Sequence, residues 1–174
     1  MTVEEVKGII RDVKDFPVKG ILFKDLTTAF KKPECLSWMK QELVREYKDK
    51  GITKILGIES RGFIIGAMTA EALGAGFVPI RKKGKLPAEI VEETYEKEYG
   101  FDTIEIHKDA LDKDDIIMIH DDLLATGGTI KAAVRLAKKM GVKKIYASFL
   151  VELTDLKGKE KIDKDVEVYS LIKY

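Results

Sequence analysis

The sequence predicts an α/β fold: one domain, residues 1–174, with a mainly parallel central sheet flanked by helices. Three observations carry that expectation. From residue 54 onward, short apolar runs take turns with stretches of helical periodicity, the order of a parallel sheet with helices on both faces. The run 116–120 is apolar without alternation, as a strand buried on both sides requires. Gly51 and Gly141 stand just past helical stripes, where helices stop.

Taken in order, residues 2–15 read as a helix. Thr2 and Glu5 have capping-box spacing, and Val6, Ile9, Ile10 and Val13 form one stripe. Phe16-Pro17-Val18-Lys19-Gly20 breaks it, and 21–28 reads as irregular or briefly extended. Pro33 opens a second helix that turns Leu36, Met39, Leu43, Val44 and Tyr47 inward. A strand at 54–58, a helix at 61–73 and a strand at 76–81 follow. Beyond the run 116–120 come a helix at 129–140, with Ile130, Ala133, Val134, Ala137 and Met140 on one face, and strands at 144–153 and 166–172. The charged stretch 82–106 shows no helical stripe and no core face. It reads as a flexible hairpin lid, with arms at 93–97 and 102–107.

Charge excludes one class of partner. Lys and Arg number 31 against 30 Asp and Glu, so nothing in the whole-chain balance favours nucleic acid. Any phosphate site must be built locally. The single cysteine, Cys35, excludes an intramolecular disulfide and a multi-thiolate metal site, and suits a reducing cytosol. No apolar stretch is long enough for a membrane span and no signal peptide is visible, so a cytoplasmic setting is expected.

The most informative segment begins at the end of the run 116–120. Two acids, Asp121 and Asp122, are followed by Leu123-Leu124 and then Ala125-Thr126-Gly127-Gly128-Thr129 at a helix start. In parallel α/β sheets ligands bind at the carboxyl ends of strands. A glycine-containing turn there aims free N–H groups at an anion, helped by the helix's positive end. A phosphate cradle alone gains nothing from two carboxylates beside it. A sugar phosphate does, because vicinal hydroxyls donate to carboxylates while the phosphate sits in the loop. Neither a Walker loop nor a G-x-G-x-x-G turn occurs.

At these residues the chain resembles the type I phosphoribosyltransferases, in the form found in the adenine phosphoribosyltransferases. The signature is Asp121-Asp122-Leu123-Leu124-Ala125-Thr126-Gly127-Gly128-Thr129. Asp15-Phe16-Pro17 with Gly20-Ile21-Leu22-Phe23-Lys24-Asp25, Gly57-Ile58-Glu59-Ser60-Arg61-Gly62-Phe63, Gly74 to Lys82, Gly84-Lys85-Leu86-Pro87 and Glu98-Tyr99-Gly100 match in family order and cover almost the whole chain.

The resemblance implies the type I fold, with residues 1–33 as a hood, and Mg2+-dependent transfer of the 5-phosphoribosyl group from phosphoribosyl pyrophosphate (PRPP) to adenine. Ala125, Thr126, Gly127, Gly128 and Thr129 would hold the 5-phosphate. Asp121 and Asp122 would hold the ribose hydroxyls and support magnesium bound mainly by PRPP. Glu59, Ser60 and Arg61, with Arg81, Lys82 and Lys85, would take pyrophosphate, and an arginine's planar fork suits its oxygens. Leu22, Phe23, Lys24 and Leu123 would enclose the adenine, Phe23 by stacking. Glu98 would address the imidazole edge of the purine as a proton-transfer group. Arg61, Asp121, Asp122 and Glu98 are the implied catalytic set, and a homodimer is implied, with Arg81 able to reach a neighbouring subunit's site.

Each residue also has a plainer reading: Glu98 as a solvated hairpin carboxylate, Phe23 as core, Arg81-Lys82-Lys83-Gly84-Lys85 as a solvated basic loop. Lys24 stands where the family often has arginine, His120 where it usually has valine, and Ala88-Glu89 where a glycine is common. A 6-oxopurine transferase is the alternative within the enzyme class. A non-catalytic PRPP-sensing regulator is the alternative outside it.

Overall fold

In the computed structural model, which describes residues 1–16, 19–97 and 100–174, the chain begins with α1 (Val3–Ile9), β1 (Arg11–Lys14), β2 (Leu22–Asp25), α2 (Thr27–Phe30) and α3 (Pro33–Tyr47). The alternating part follows: β3 (Lys54–Ile58), α4 (Gly62–Leu73), β4 (Gly76–Lys82), β5 (Ile90–Glu96), β6 (Phe101–His107), β7 (Ile116–Leu124), α5 (Gly128–Lys139), β8 (Lys144–Glu152) and β9 (Glu167–Lys173). Short 3-10 turns at Thr154–Leu156 and Gly158–Lys161 join β8 to β9.

The central sheet has seven strands in the order β5-β6-β4-β3-β7-β8-β9. From β4 through β9 every neighbouring pair is parallel, as the alternation requires. Helices cover both faces. Ile130, Val134 and Ala137 of α5 pack with Ile119, Phe149 and Ile104 on one side. Met39 and Leu43 of α3 and Ile65 of α4 pack with Met118 and Leu150 on the other. Burying each of the larger of these side chains contributes about 1.5–3 kcal/mol, and these two layers hold the strand ends in place.

The structure corrects the first helix. The Thr2–Glu5 capping box forms, with Thr2 N donating to Glu5 Oε2 at 2.7 Å and Glu5 N to Thr2 Oγ1 at 3.3 Å. The helix nevertheless ends at Ile9, and Arg11–Lys14 pairs antiparallel with Leu22–Asp25. Cross-strand hydrogen bonds and the Arg11–Asp25 ion pair at 2.5 Å outweigh a weak helical stripe. Residues 21–28, read as irregular or extended, contain β2 and the opening of α2.

α3 opens at Pro33 as expected, but its buried stripe is Cys35, Met39, Leu43 and Tyr47. Leu36 and Val44 are only partly buried beside it. Along 82–106 the expectation of no core face fails. Tyr95, Ile104 and Ile106 are buried, and β6 pairs antiparallel with β4 through Arg81↔Glu105 and Lys82↔Ile104. The hairpin therefore extends the sheet and packs against α5. Charged neighbours hid its short alternation. Even Glu105 is buried, where its carboxylate accepts from Gly84 N at 3.1 Å.

β7 also runs further than 116–120. It continues through both acids to Leu124 because β8 continues beside it, with Leu123↔Val151 and Leu124↔Glu152 in register. The acids are thus held by a strand, not by a loop.

Candidate active site

β3 and β7 are parallel neighbours, so the turns leaving their carboxyl ends lie side by side. The turn after β7 is the anion cradle. Gly127 has φ 81° and stands at the N-cap of α5, a left-handed position that favours glycine. Lys131 N donates to Gly127 O at 3.1 Å, the first bond of the helix, so the preceding amides have no intrahelical acceptor. Asp121, Leu124, Ala125, Thr126, Gly127, Gly128, Thr129 and Phe149 line a cavity of about 90 Å³ there. Its size and donors suit a phosphate.

A residue without any sequence signal supports this loop from behind. A Cβ on Gly158 would fall 2.2 Å from Ala125 O, and one on Gly127 would fall 2.4 Å from Gly158 O. Backbone is pressed on backbone, and only glycine permits that approach. Phe149 and Tyr95 were likewise not singled out from the sequence. Both reach the cradle from strands far away in the chain.

The second turn is Glu59-Ser60-Arg61-Gly62, between β3 and α4, and its Glu59–Ser60 peptide is cis. A Cβ on Gly62 would fall 2.6 Å from His120 O and 3.2 Å from Asp121 Cα, so the start of α4 abuts the acid pair. Arg61 Nε donates to Asp122 Oδ2 at 2.5 Å and joins the two turns directly. Asp122 is buried and Asp121 is partly so. Burial, and then the charge of Asp122, push the Asp121 carboxyl well above the ordinary carboxylate range. A hydroxyl donor or a cation placed there would favour its ionised form.

Three of the basic residues converge on Glu59 or on the hairpin. Lys85 Nζ lies 2.6 Å from Glu59 Oε1, Arg81 Nε 3.4 Å from Glu59 Oε2, and Lys82 N donates to Glu59 Oε2 at 2.9 Å. Burial opposes the charge on Glu59, but Lys85, the Lys82 amide and Arg81 outweigh it and draw its pKa down to about 2. The Lys82 ammonium is turned to Asp102, which also pairs with Lys97 at 2.5 Å. Ser60 lies in the turn itself.

On the hood side, Phe23 lies under the Arg61 guanidinium at 5.7 Å and meets Phe16 edge-on at 5.2 Å. Its neighbour Leu22 is 44% exposed. The Lys24 side chain is committed elsewhere: Nζ pairs with Asp12 at 2.6 Å and sits 4.0 Å from the Tyr174 ring centroid. What Lys24 can offer a base is its backbone. Leu123 is partly buried on the α3 side of the sheet. Glu98 lies outside the described residues.

His120 takes no part in the cleft. It is fully buried under Gly66, with Nδ1 2.8 Å from Ser148 Oγ, and burial lowers its pKa to about 4.

The family model described as "Phosphoribosyl transferase domain" matches residues 35–173. The chain is 58% identical over 172 residues to an adenine phosphoribosyltransferase of Bacteroides thetaiotaomicron, covering 99% of this chain and 98% of that one. It is similar to the crystal structure of the Giardia lamblia enzyme complexed with 9-deazaadenine, with TM-score 0.95, 44% identity, and 100% and 98% of the two chains covered. It is also similar to the Saccharomyces cerevisiae adenine phosphoribosyltransferase complexed with an imino-altritol bisphosphate and adenine, with TM-score 0.91, 38% identity, and 98% of each chain covered.

Proposed function

The chain belongs to the phosphoribosyl transferase family, and on that premise we propose that it makes AMP and pyrophosphate from adenine and PRPP, a purine-salvage reaction. One observation carries the site reading: the acid pair at the end of β7 stands beside the 125–129 cradle and is tied through Arg61 to the turn after β3. Two anion sites flank a pair of hydroxyl acceptors, which is the charge pattern of a pentose bearing phosphate at one end and pyrophosphate at the other.

In this reading Ala125, Thr126, Gly127, Gly128 and Thr129 grip the 5-phosphate, and Asp121 and Asp122 accept from the ribose hydroxyls. Arg61, Arg81, Lys82 and Lys85, with the Glu59-Ser60 backbone, take the pyrophosphate. The bond from the anomeric carbon to pyrophosphate breaks, its electron pair leaving with the phosphate oxygen, as N9 of adenine bonds to the same carbon and sheds its proton. Glu98 is the proposed proton acceptor. The protein's own work is to orient the two reactants and stabilise charge where it develops. Phe23 and Leu123 would sandwich the base, while main-chain groups of Leu22 and Lys24 read its edge. Tyr95, Ile104 and Ile106 fix the strands of the 82–106 hairpin in the sheet, so only the parts of it that stand clear of the core would close over the site to exclude water.

Magnesium fits the donor set. Among the described residues there is no group of three or more His, Cys, Asp or Glu able to hold a metal by themselves. Two hard carboxylates side by side suit a magnesium ion that takes most of its ligands from substrate oxygens. Asp121 and Asp122 would support it, and when bound it shields phosphate charge and eases departure of pyrophosphate. A homodimer in the cytoplasm completes the proposal, supported by the family resemblance and by a free, buried Cys35.

Turnover with magnesium and PRPP against adenine, hypoxanthine, guanine and xanthine tests the reading. Adenine should be preferred by about 100-fold or more, since a backbone donor and acceptor set for adenine leaves unpaired groups against a 6-oxopurine. Preference for a 6-oxopurine would overturn the base assignment. Absence of pyrophosphate release with every purine would leave a PRPP sensor instead.

A further inference from the structure

Tyr95, on β5, is 8% exposed, and its ring packs in the core beneath the hairpin. Its hydroxyl does something the core does not need. It lies 3.1 Å from Thr129 Oγ1 in the anion cradle and 3.3 Å from Asp102 Oδ2 on β6. Gly128 faces the same ring, and a Cβ there would fall 3.7 Å from Tyr95 Cδ2. Asp102 Oδ2 in turn receives Lys82 and Lys97. A continuous hydrogen-bonded path thus leads from the cradle to the basic residues of the hairpin.

We propose that Tyr95 is a positioning residue for the transfer reaction, its hydroxyl tying Thr129 of the cradle to Asp102 of the hairpin so that occupancy of the cradle is felt in the hairpin. The inference rests on the cradle's taking the 5-phosphate. The reason is a count of protons. Thr129 and Tyr95 each carry one hydroxyl proton. When Thr129 donates to Tyr95 and Tyr95 to Asp102, both contacts are satisfied. Once Thr129 gives its proton to a phosphate oxygen, Tyr95 has one proton for two acceptors, and one contact must lapse. Asp102 yields. Its contact is the longer of the two, and its Oδ2 already receives two ammonium groups. The cross-strand Tyr95–Asp102 link therefore loosens when phosphate enters, while Tyr95 stays on the cradle. Lys82, of the proposed pyrophosphate set, shares Asp102 Oδ2 with Tyr95, so the change reaches a basic residue of the hairpin.

The test is amide hydrogen exchange with and without ribose 5-phosphate, a ligand that fills the cradle and leaves the pyrophosphate side free, with its affinity measured alongside by calorimetry. In the unsubstituted protein, exchange at the Lys97 and Thr103 amides should rise about two- to tenfold on binding, the equivalent of one weak hydrogen bond lost. Tyr95→Phe keeps the ring and removes the link, so these amides should exchange fast from the start and not respond to the ligand. Thr129→Val, which removes the shared proton from the other end, should also abolish the response and covers the case of a Tyr95 variant that does not fold. No binding of ribose 5-phosphate by the unsubstituted protein would overturn the cradle reading and this inference with it. Binding without a change in exchange, or with the same change in Tyr95→Phe, would overturn the coupling alone.

Discussion

Arg61 Nε meets Asp122 Oδ2 at 2.5 Å, and the pair is sealed at one end only: the aspartate side chain is 3% exposed and the arginine side chain 42%. The carboxylate depends on its partner, while the guanidinium keeps an exposed surface over the Phe23 ring.

Arg61→Ala strands that carboxylate. We expect a stability loss of about 2–4 kcal/mol, discounted for the half-exposed arginine. A loss of about 100-fold in kcat/KM for PRPP should accompany it, from the charge-assisted bonds to pyrophosphate. Adding Asp122→Asn should restore most of the stability and none of the turnover. Denaturant titration and initial rates on the double variant decide this; recovered activity would mean that Arg61 serves the fold alone.

Gly158→Ala tests the support behind the cradle. Its Cβ would meet Ala125 O at 2.2 Å, and a backbone atom cannot step aside as a side chain can. The loop must move, and a shift of about 1 Å can cost about 100-fold in rate. The KM for PRPP should rise, with a stability loss of about 1–3 kcal/mol. Gly8→Ala is the control. Among the described residues nothing lies within 4 Å of its added Cβ in α1, and a gain of about 0.5–1 kcal/mol with unchanged kinetics is expected. Unchanged PRPP kinetics in Gly158→Ala would refute the supporting role.

Glu59 gives a pH dependence with a definite sign. Its pKa falls from 4.5 in the open chain to about 2 in the fold, where Lys85, the Lys82 amide and Arg81 overcome the opposing effect of burial. The unfolded chain therefore binds the extra proton first as pH drops. The stabilisation is complete above pH 4.5, shrinks below it and is gone once pH falls through about 2, with an upper limit of about 3 kcal/mol before solvent screening. The stability gap between the unsubstituted protein and Glu59→Gln should close across that window. A gap independent of pH would contradict the assignment.

His120 and Ser148 form a buried polar pair whose outer ring nitrogen, Nε2, has no hydrogen-bond partner among the described residues. Removing one member orphans the other at a cost of about 1–3 kcal/mol, whereas replacing both with apolar groups can be neutral or better. Ser148→Ala should therefore destabilise, and His120→Val/Ser148→Ala should equal or exceed the unsubstituted protein. Strictly additive losses in the thermal unfolding of the single and double variants would show that the pair is not coupled.

Much of this was open to reading in the chain itself. Strand and helix order from residue 54 onward follows from local periodicity, which neighbours in sequence decide. The 121–129 signature was legible for the same reason: strand, paired acids, glycine turn and helix start are contiguous, so their chemistry is written in one place. Resemblance pointed to Arg61, which the structure joins to Asp122, and to Leu22-Phe23-Lys24, whose part in base reading is a proposal. The first helix was misread because cross-strand pairing with Leu22–Asp25, a contact between separated segments, overrode its stripe. The core face of 82–106 was missed because Ile104 and Ile106 are apolar only on alternate positions among charges.

What the sequence determined by itself was the class of sheet and the chemical inventory of the cleft, because both depend on residues close together in the chain. What only the tertiary structure decided was contact between distant segments. Gly158 against Ala125, Tyr95 against Thr129, Arg61 against Asp122 and Lys24 turned away to Asp12 all join residues that are far apart or on different elements. Such meetings arise from the packing of whole layers, and no local pattern of residues encodes them.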